Sequence, residues 1–229
     1  MSNPSRDAPP PVSRPKVEHE HRLTEILANA ITHGIGALLA IAGAIWLIYR
    51  SSPGSSLQIS ICVLYSCTLL LVYLFSTLYH SLVRTRARRV FQILDHSAIY
   101  LLIAGTYSPF TLLCLKGWLG WSLFLGIWAS AVAGVVYKAL YGDSHPRVSL
   151  TIYLLMGWVG MVAMGPFLHV VGWGGVFWIL VGGGFYTLGV YFYSHDHKPF
   201  HHALWHIFVL LGSMAHYWAV LLYALPARK

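Results

Sequence analysis

Five side chains in this sequence are spaced for chemistry. His202 and His206 stand four residues apart, and so do Ser76 and His80, with Asp95 a short way beyond. On a helix, residues i and i+4 lie on one face, a turn apart. His202 and His206 then aim two imidazoles at one point, and Ser76 sits one turn beneath His80. Three neutral imidazoles, from His80, His202 and His206, would give Zn²⁺ a tetrahedral site with one position left exchangeable. Asp95 would accept a hydrogen bond from a water there or from an imidazole. It is the one acidic residue placed in or at the edge of an apolar segment, where an unpartnered carboxylate costs several kcal/mol.

Two of the thirteen histidines are ambiguous. His33, between Thr32 and Gly34, either approaches the same site or packs beneath it. His216 lies ten residues past His206, which is about 15 Å along a helix. That is too far to share a metal, so a buried, hydrogen-bonded histidine lining the same cavity is expected. His145, His169, His195, His197 and His201 are expected to bond headgroups or loop carbonyls.

The elements that must position these groups follow from composition. Of 229 residues, 57% are hydrophobic and only 10% charged, against about 25% charged in soluble domains. Mean hydropathy is +0.62. Soluble, disordered and disulfide-scaffold classes are excluded, and the bilayer is the remaining solvent. Seven apolar segments follow, roughly 29–49, 57–80, 93–115, 119–140, 149–171, 173–194 and 202–225. Each is near the ~20 residues that one spanning helix needs. The weakest break is Gly172 to Gly175, which carries no charge. If it is not a loop, two segments merge and the count falls to six, but a continuous 46-residue span (149–194) is implausible. Residues 1–22, with five prolines, read as a disordered tail, and Leu23 to Ala28 as a short amphipathic lead-in to a transmembrane domain over 23–229. Cys62, Cys67 and Cys114 read as small buried hydrophobes. Glycines inside the spans, Gly105 and Gly182 to Gly184 among them, read as sites of close helix approach.

The net charge of +8 points to topology and anionic headgroups, not to nucleic acid. The tail, loops 2–3 and 4–5 and Lys198 hold eleven Lys and Arg residues against four on the other side. The positive-inside rule puts the N-terminus in the cytoplasm and the C-terminus outside. Ser76, His80, Asp95, His202 and His206 then share one leaflet.

Thr32-His33-Gly34-Ile35-Gly36, Ser76-xxx-His80, Asp95-His96-Ser97 with Gly105 to Phe110, and His202-xxx-His206 with His216 resemble the hemolysin III family of bacterial membrane proteins. That family is similar to the progestin and adipoQ receptors, and more distantly to alkaline ceramidases. The resemblance covers the chain after residue 22. It implies a seven-helix bundle in the bacterial cytoplasmic membrane, with zinc in the inner-leaflet half on His80, His202 and His206, the family's aspartate at Asp95 and its serine at Ser76.

The reading that follows is a metal-dependent hydrolase of lipid amides or esters. Asp95 is the general base and Ser76 helps hold the water or the oxyanion. The substrate is a lipid entering sideways from the membrane. Two alternatives stand: a sensor or receptor with structural zinc, and a pore-forming or cytolytic protein. The third needs polar groups along the whole span, and here they gather at one end.

Overall fold

The computed structural model describes residues 16–115 and 117–225, with side chains described from Leu23 onward. The helices are α1 (Lys16–Ser51), α2 (Ser56–Ser81), α3 (Arg88–Pro109), α4 (Gly117–Tyr141), α5 (Pro146–Trp158), α6 (Met164–Ser194) and α7 (His201–Ala219). The chain is all-helical among the described residues. Six helical stretches are long and apolar enough to cross a membrane: 23–51, 56–81, 88–115, 117–141, 146–194 and 201–224. Side chains such as Leu38, Trp118, Leu140 and Val162 lie exposed on the outer faces, as the hydrocarbon phase of a membrane protein allows.

Local chemistry sets the ends. The Ser55 hydroxyl accepts from the Gln58 amide at 3.3 Å and caps α2. Pro109 supplies no amide proton, and a π-helical turn over Phe110–Leu115 follows it. Helix α1 begins at Lys16, inside the segment expected to be tail. The last proline of that tail is Pro15, and neither proline nor glycine interrupts the chain from there to Gly34. The rest of the expected tail, 1–15, lies outside the described residues.

The stretch 146–194 holds the weakest predicted break. At Gly172 the backbone takes φ 65°, ψ 178°, a conformation nearly reserved for glycine. Contacts on either side show the chain reversing there. Before it, Tyr153 meets His96 and Tyr107 meets Gly157 and Gly160, so this part runs parallel to α3. After it, Gly175 lies under Tyr223, Gly182 under His216 and Gly189 under Trp205, so this part runs antiparallel to α7. Helices α1 and α7 are parallel, with Asn29 at His206, Gly36 at Leu210 and Gly43 at Tyr217.

The expected close approaches occur at Gly105 and Gly182 but not at Gly184, where a Cβ would meet nothing within 4 Å. A Cβ on Gly105 would collide with the Thr68 side chain, and one on Gly182 with the His216 ring. Cys62 and Cys114 are buried as expected, whereas Cys67 is exposed. It falls on the outward face of α2, because periodicity and not apolarity decides which side of a lipid-facing helix is covered.

Candidate metal centre

Helix α2 carries His80 in its last turn, and α7 begins with His201 and His202. The preceding residue, Phe200, takes the left-handed conformation at φ 61°. It turns the chain so that the first two turns of α7 face α2. One potential ligand atom from each of His80, His202 and His206 lies within 4.8 Å of the other two. The ring centroids stand 4.7 to 5.0 Å apart. His80 and His206 are buried and His202 is half-buried. The spacing of the sequence therefore does bring these three together.

Helix α1 fixes the orientation of His206. Its Nδ1 lies 3.1 Å from the Asn29 carbonyl oxygen and 3.1 Å from the Thr32 hydroxyl. Thr32 donates its own proton to the Ala28 carbonyl at 2.8 Å. Both neighbours therefore accept, Nδ1 carries the proton, and Nε2 is left with its lone pair for a metal. Asn29 was not a sequence candidate. Thr32 was noted only within a motif, and its position one residue before His33 was the signal available.

His33 is buried and stacks on His206, with centroids 3.6 Å apart and planes 15° apart. It lies outside the three-imidazole set and packs against it. Neither of its ring nitrogens has a hydrogen-bond partner among the described residues. Ser76 and Asp95 are both buried. The Ser76 hydroxyl faces the Asp95 carboxylate.

The donor set fits a metal ion. His80 Nε2 is fully enclosed without a partner among the described residues, and an unmet buried polar atom costs about 1–3 kcal/mol. Three imidazoles converging on one point, two of them buried, are what a borderline-soft divalent cation binds.

A second polar cluster, absent from the sequence reading, clasps this end of the bundle. Asp143, between α4 and α5, accepts from Lys138 at 2.6 Å and pairs with His96 Nδ1 at 2.7 Å. Tyr153 donates to the His96 carbonyl at 2.7 Å. Burial alone would raise the Asp143 carboxyl, but the bond and charge of His96 and then those of Lys138 outweigh it and hold it at about 2. Lys138, assigned by sequence to topology alone, is 2% exposed and paired. The signal for this cluster was His96 beside Asp95. Of the histidines expected to bond loop carbonyls, His201 does so, to Pro199, whereas His195 reaches the Tyr191 carbonyl in the last turn of α6.

An apolar cavity of about 150 Å³ lies between α3, α5, α6 and α7. Trp205 and Val209, on either side of His206 in sequence, border it, and His216 lines it deeper in. His216 Nδ1 lies 3.0 Å from the Gly212 carbonyl, so this histidine is buried and hydrogen-bonded as expected.

A family model described as haemolysin-III related matches residues 21–217. The chain belongs to the haemolysin III family. It is 44% identical to Hemolysin-3 of Bacillus cereus, over 90% of this chain and 94% of that protein. It is 42% identical to a hemolysin-3 homolog of Bacillus subtilis, over 88% and 95%. Human monocyte to macrophage differentiation factor is 33% identical over 86% and 83%. The protein is thus a haemolysin III family membrane protein with a three-histidine cluster that could hold a metal ion.

Proposed function

We propose that this haemolysin III protein is a zinc-dependent hydrolase of membrane-lipid amide or ester bonds, ceramidase-like in its chemistry. It sits in the bacterial cytoplasmic membrane as a seven-span bundle, N-terminus inside and C-terminus outside. One observation carries the chemistry. Three imidazoles from two helices converge on one point, with the Asp95 carboxylate and the Ser76 hydroxyl at the same end of the bundle. The apolar cavity bordered by Trp205 and Val209 supports a lipid substrate. The seven-span count is supported by the reversal at Gly172 and by the parallel course of α1 and α7, which needs an odd number of crossings.

His80, His202 and His206 would hold the ion, and Asn29 and Thr32 would keep His206 Nε2 directed at it. When bound, zinc polarises a scissile carbonyl and lowers the pKa of water toward about 7. The Asp95 carboxylate takes the proton of the attacking water and passes it to the leaving amine or alcohol. The Ser76 hydroxyl donates a hydrogen bond to the oxygen on which negative charge develops. Lipid enters sideways from the bilayer, and water arrives from the cytoplasmic end.

Elemental analysis of the purified protein tests the first half. About one zinc per chain is expected, lost in a His202→Ala/His206→Ala variant. An Asp95→Ala protein should keep its zinc and lose turnover of lipid amides or esters by about 10²–10⁴-fold. Unchanged hydrolysis in that variant would overturn the role of Asp95. Zinc retained in a stable protein with no hydrolysis of any lipid would favour a receptor with structural zinc. The name of the Bacillus relatives supports a second reading, cytolysis through a pore. Ion flux across proteoliposomes is expected to match protein-free vesicles. Protein-dependent flux would overturn the hydrolase reading in its favour.

A further inference from the structure

The cavity wall carries a histidine that hydrolysis at the three-histidine end does not use. His216 is 8% exposed and forms part of the cavity wall. Its Nδ1 faces the Gly212 carbonyl at 3.0 Å and so carries the ring proton. Nε2 is then an acceptor, and no hydrogen bond to it is found among the described residues. It is also not among the fully enclosed unpaired atoms, so it meets the open space of the cavity. The hydroxyls of Tyr107, Tyr153, Tyr186 and Thr187, which border the same cavity, are already bonded to protein, and the Thr106 hydroxyl also borders it.

The surroundings hold His216 in this pose. Its ring stacks on Tyr186 with centroids 5.5 Å and planes 14° apart. A Cβ on Gly182 would strike the His216 ring, and a Cβ on Gly212 would come within 2.8 Å of Tyr186. Two glycines and an oriented tyrosine thus leave room for one imidazole, whose free acceptor stands in largely apolar space. An unmet acceptor there is costly, and a ligand that brings a donor relieves that cost.

We propose that the cavity selects lipid chains bearing a hydroxyl near their middle, with His216 Nε2 as the acceptor that reads it. His216 is then a specificity-determining residue, remote from the reacting bond. The inference rests on the reading that a lipid chain occupies this cavity. His216 lies roughly 15 Å along α7 from His206. An extended chain of about a dozen carbon–carbon bonds, each ~1.5 Å and shortened by its zigzag, covers that distance.

The test uses the full-length protein in nanodiscs. A brominated octadecanoic acid quenches tryptophan fluorescence, and Trp158 and Trp205 border the cavity. Octadecanoic acid and 12-hydroxyoctadecanoic acid are then titrated to displace it. The hydroxylated chain is expected to displace the quencher at about five-fold lower concentration. His216→Phe keeps a ring against Tyr186, and should bind the plain chain as before while losing the preference. His216→Gln, with an amide acceptor, should keep part of it. Equal displacement by both chains in the unaltered protein would overturn the proposal while leaving the lipid cavity standing. A preference that survives in His216→Phe would overturn it as well. Failure of either chain to displace the quencher would remove the lipid-chain reading of the cavity along with it.

Discussion

At the scale of single residues, His206 is the best determined of the three imidazoles, because another helix decides its tautomer. Its Nδ1 is held between the Asn29 carbonyl and the Thr32 hydroxyl. Losing such an outer partner typically lowers metal affinity 10–100-fold. Thr32→Val keeps the shape and the Asn29 contact and removes the hydroxyl. Zinc affinity, measured by competition with a chelator, is expected to fall about 10-fold with the helical content unchanged. An unaltered affinity would leave Asn29 as the sole orienting group. The i, i+4 spacing made His202 and His206 legible in the sequence, and the helix ends brought His80 to the same level. The stacking of His33 on His206 was not legible. It depends on how α1 rotates about its axis against α7, and the flanking glycines permit several rotations.

At the scale of elements, the Lys138–Asp143–His96 cluster ties the α4–α5 loop to the first turns of α3, where Asp95 sits. The Asp143 carboxyl is held at about 2, below its ordinary 3.8. A lowered folded-state value contributes stability above the unfolded value, and that contribution is lost as pH falls through the folded one. Asp143→Asn should therefore be less stable than the parent near pH 6. The difference should shrink as pH falls from about 4 to about 2. Asp143 is a third exposed, so screening limits its share to about 1 kcal/mol. The variant also leaves Lys138 buried without its counter-charge. A Lys138→Met/Asp143→Asn pair should recover much of the loss. Thermal unfolding across that pH range checks both, and a pH-independent difference would contradict the ion pair's role. The sequence offered Lys138 as one more positive charge on the inner side. Its burial depends on how closely α4 packs against α3, with Gly134 lying flat against the Tyr100 ring.

At the scale of the whole molecule, the decisive residue is Gly172. A stretch of 49 residues would run about 74 Å as one helix, more than twice the ~30 Å hydrocarbon core. A Cβ at Gly172 would meet nothing within 4 Å, so only the backbone conformation opposes a side chain. Gly172→Ala is expected to cost about 1–3 kcal/mol in stability and to leave the metal site intact, read by thermal unfolding beside zinc content. The reversal there also sets the parity of the bundle. If the proposed topology holds, with seven crossings from a cytoplasmic N-terminus, a C-terminal alkaline phosphatase fusion should be active and a C-terminal fluorescent-protein fusion dark. The opposite pair of results would place the C-terminus inside and overturn the proposed topology.

Hydropathy alone pointed to an all-helical membrane protein, and the spacing of Ser76, His80, Asp95, His202 and His206 marked where its polar side chains gather. Both signals are local: a bilayer tests each segment for apolar length, and one helical turn repeats every 3.6 residues. The tertiary structure decided which faces meet. It placed Asn29 and Thr32 behind His206, enclosed Lys138 with Asp143, turned Cys67 outward and left His216 Nε2 open to a cavity. Each of these depends on the rotation and approach of one helix against another. Small residues such as Gly105 and Gly182 set that approach by the close contact they permit, and lipid-facing apolar side chains carry no mark of which neighbour, if any, will cover them.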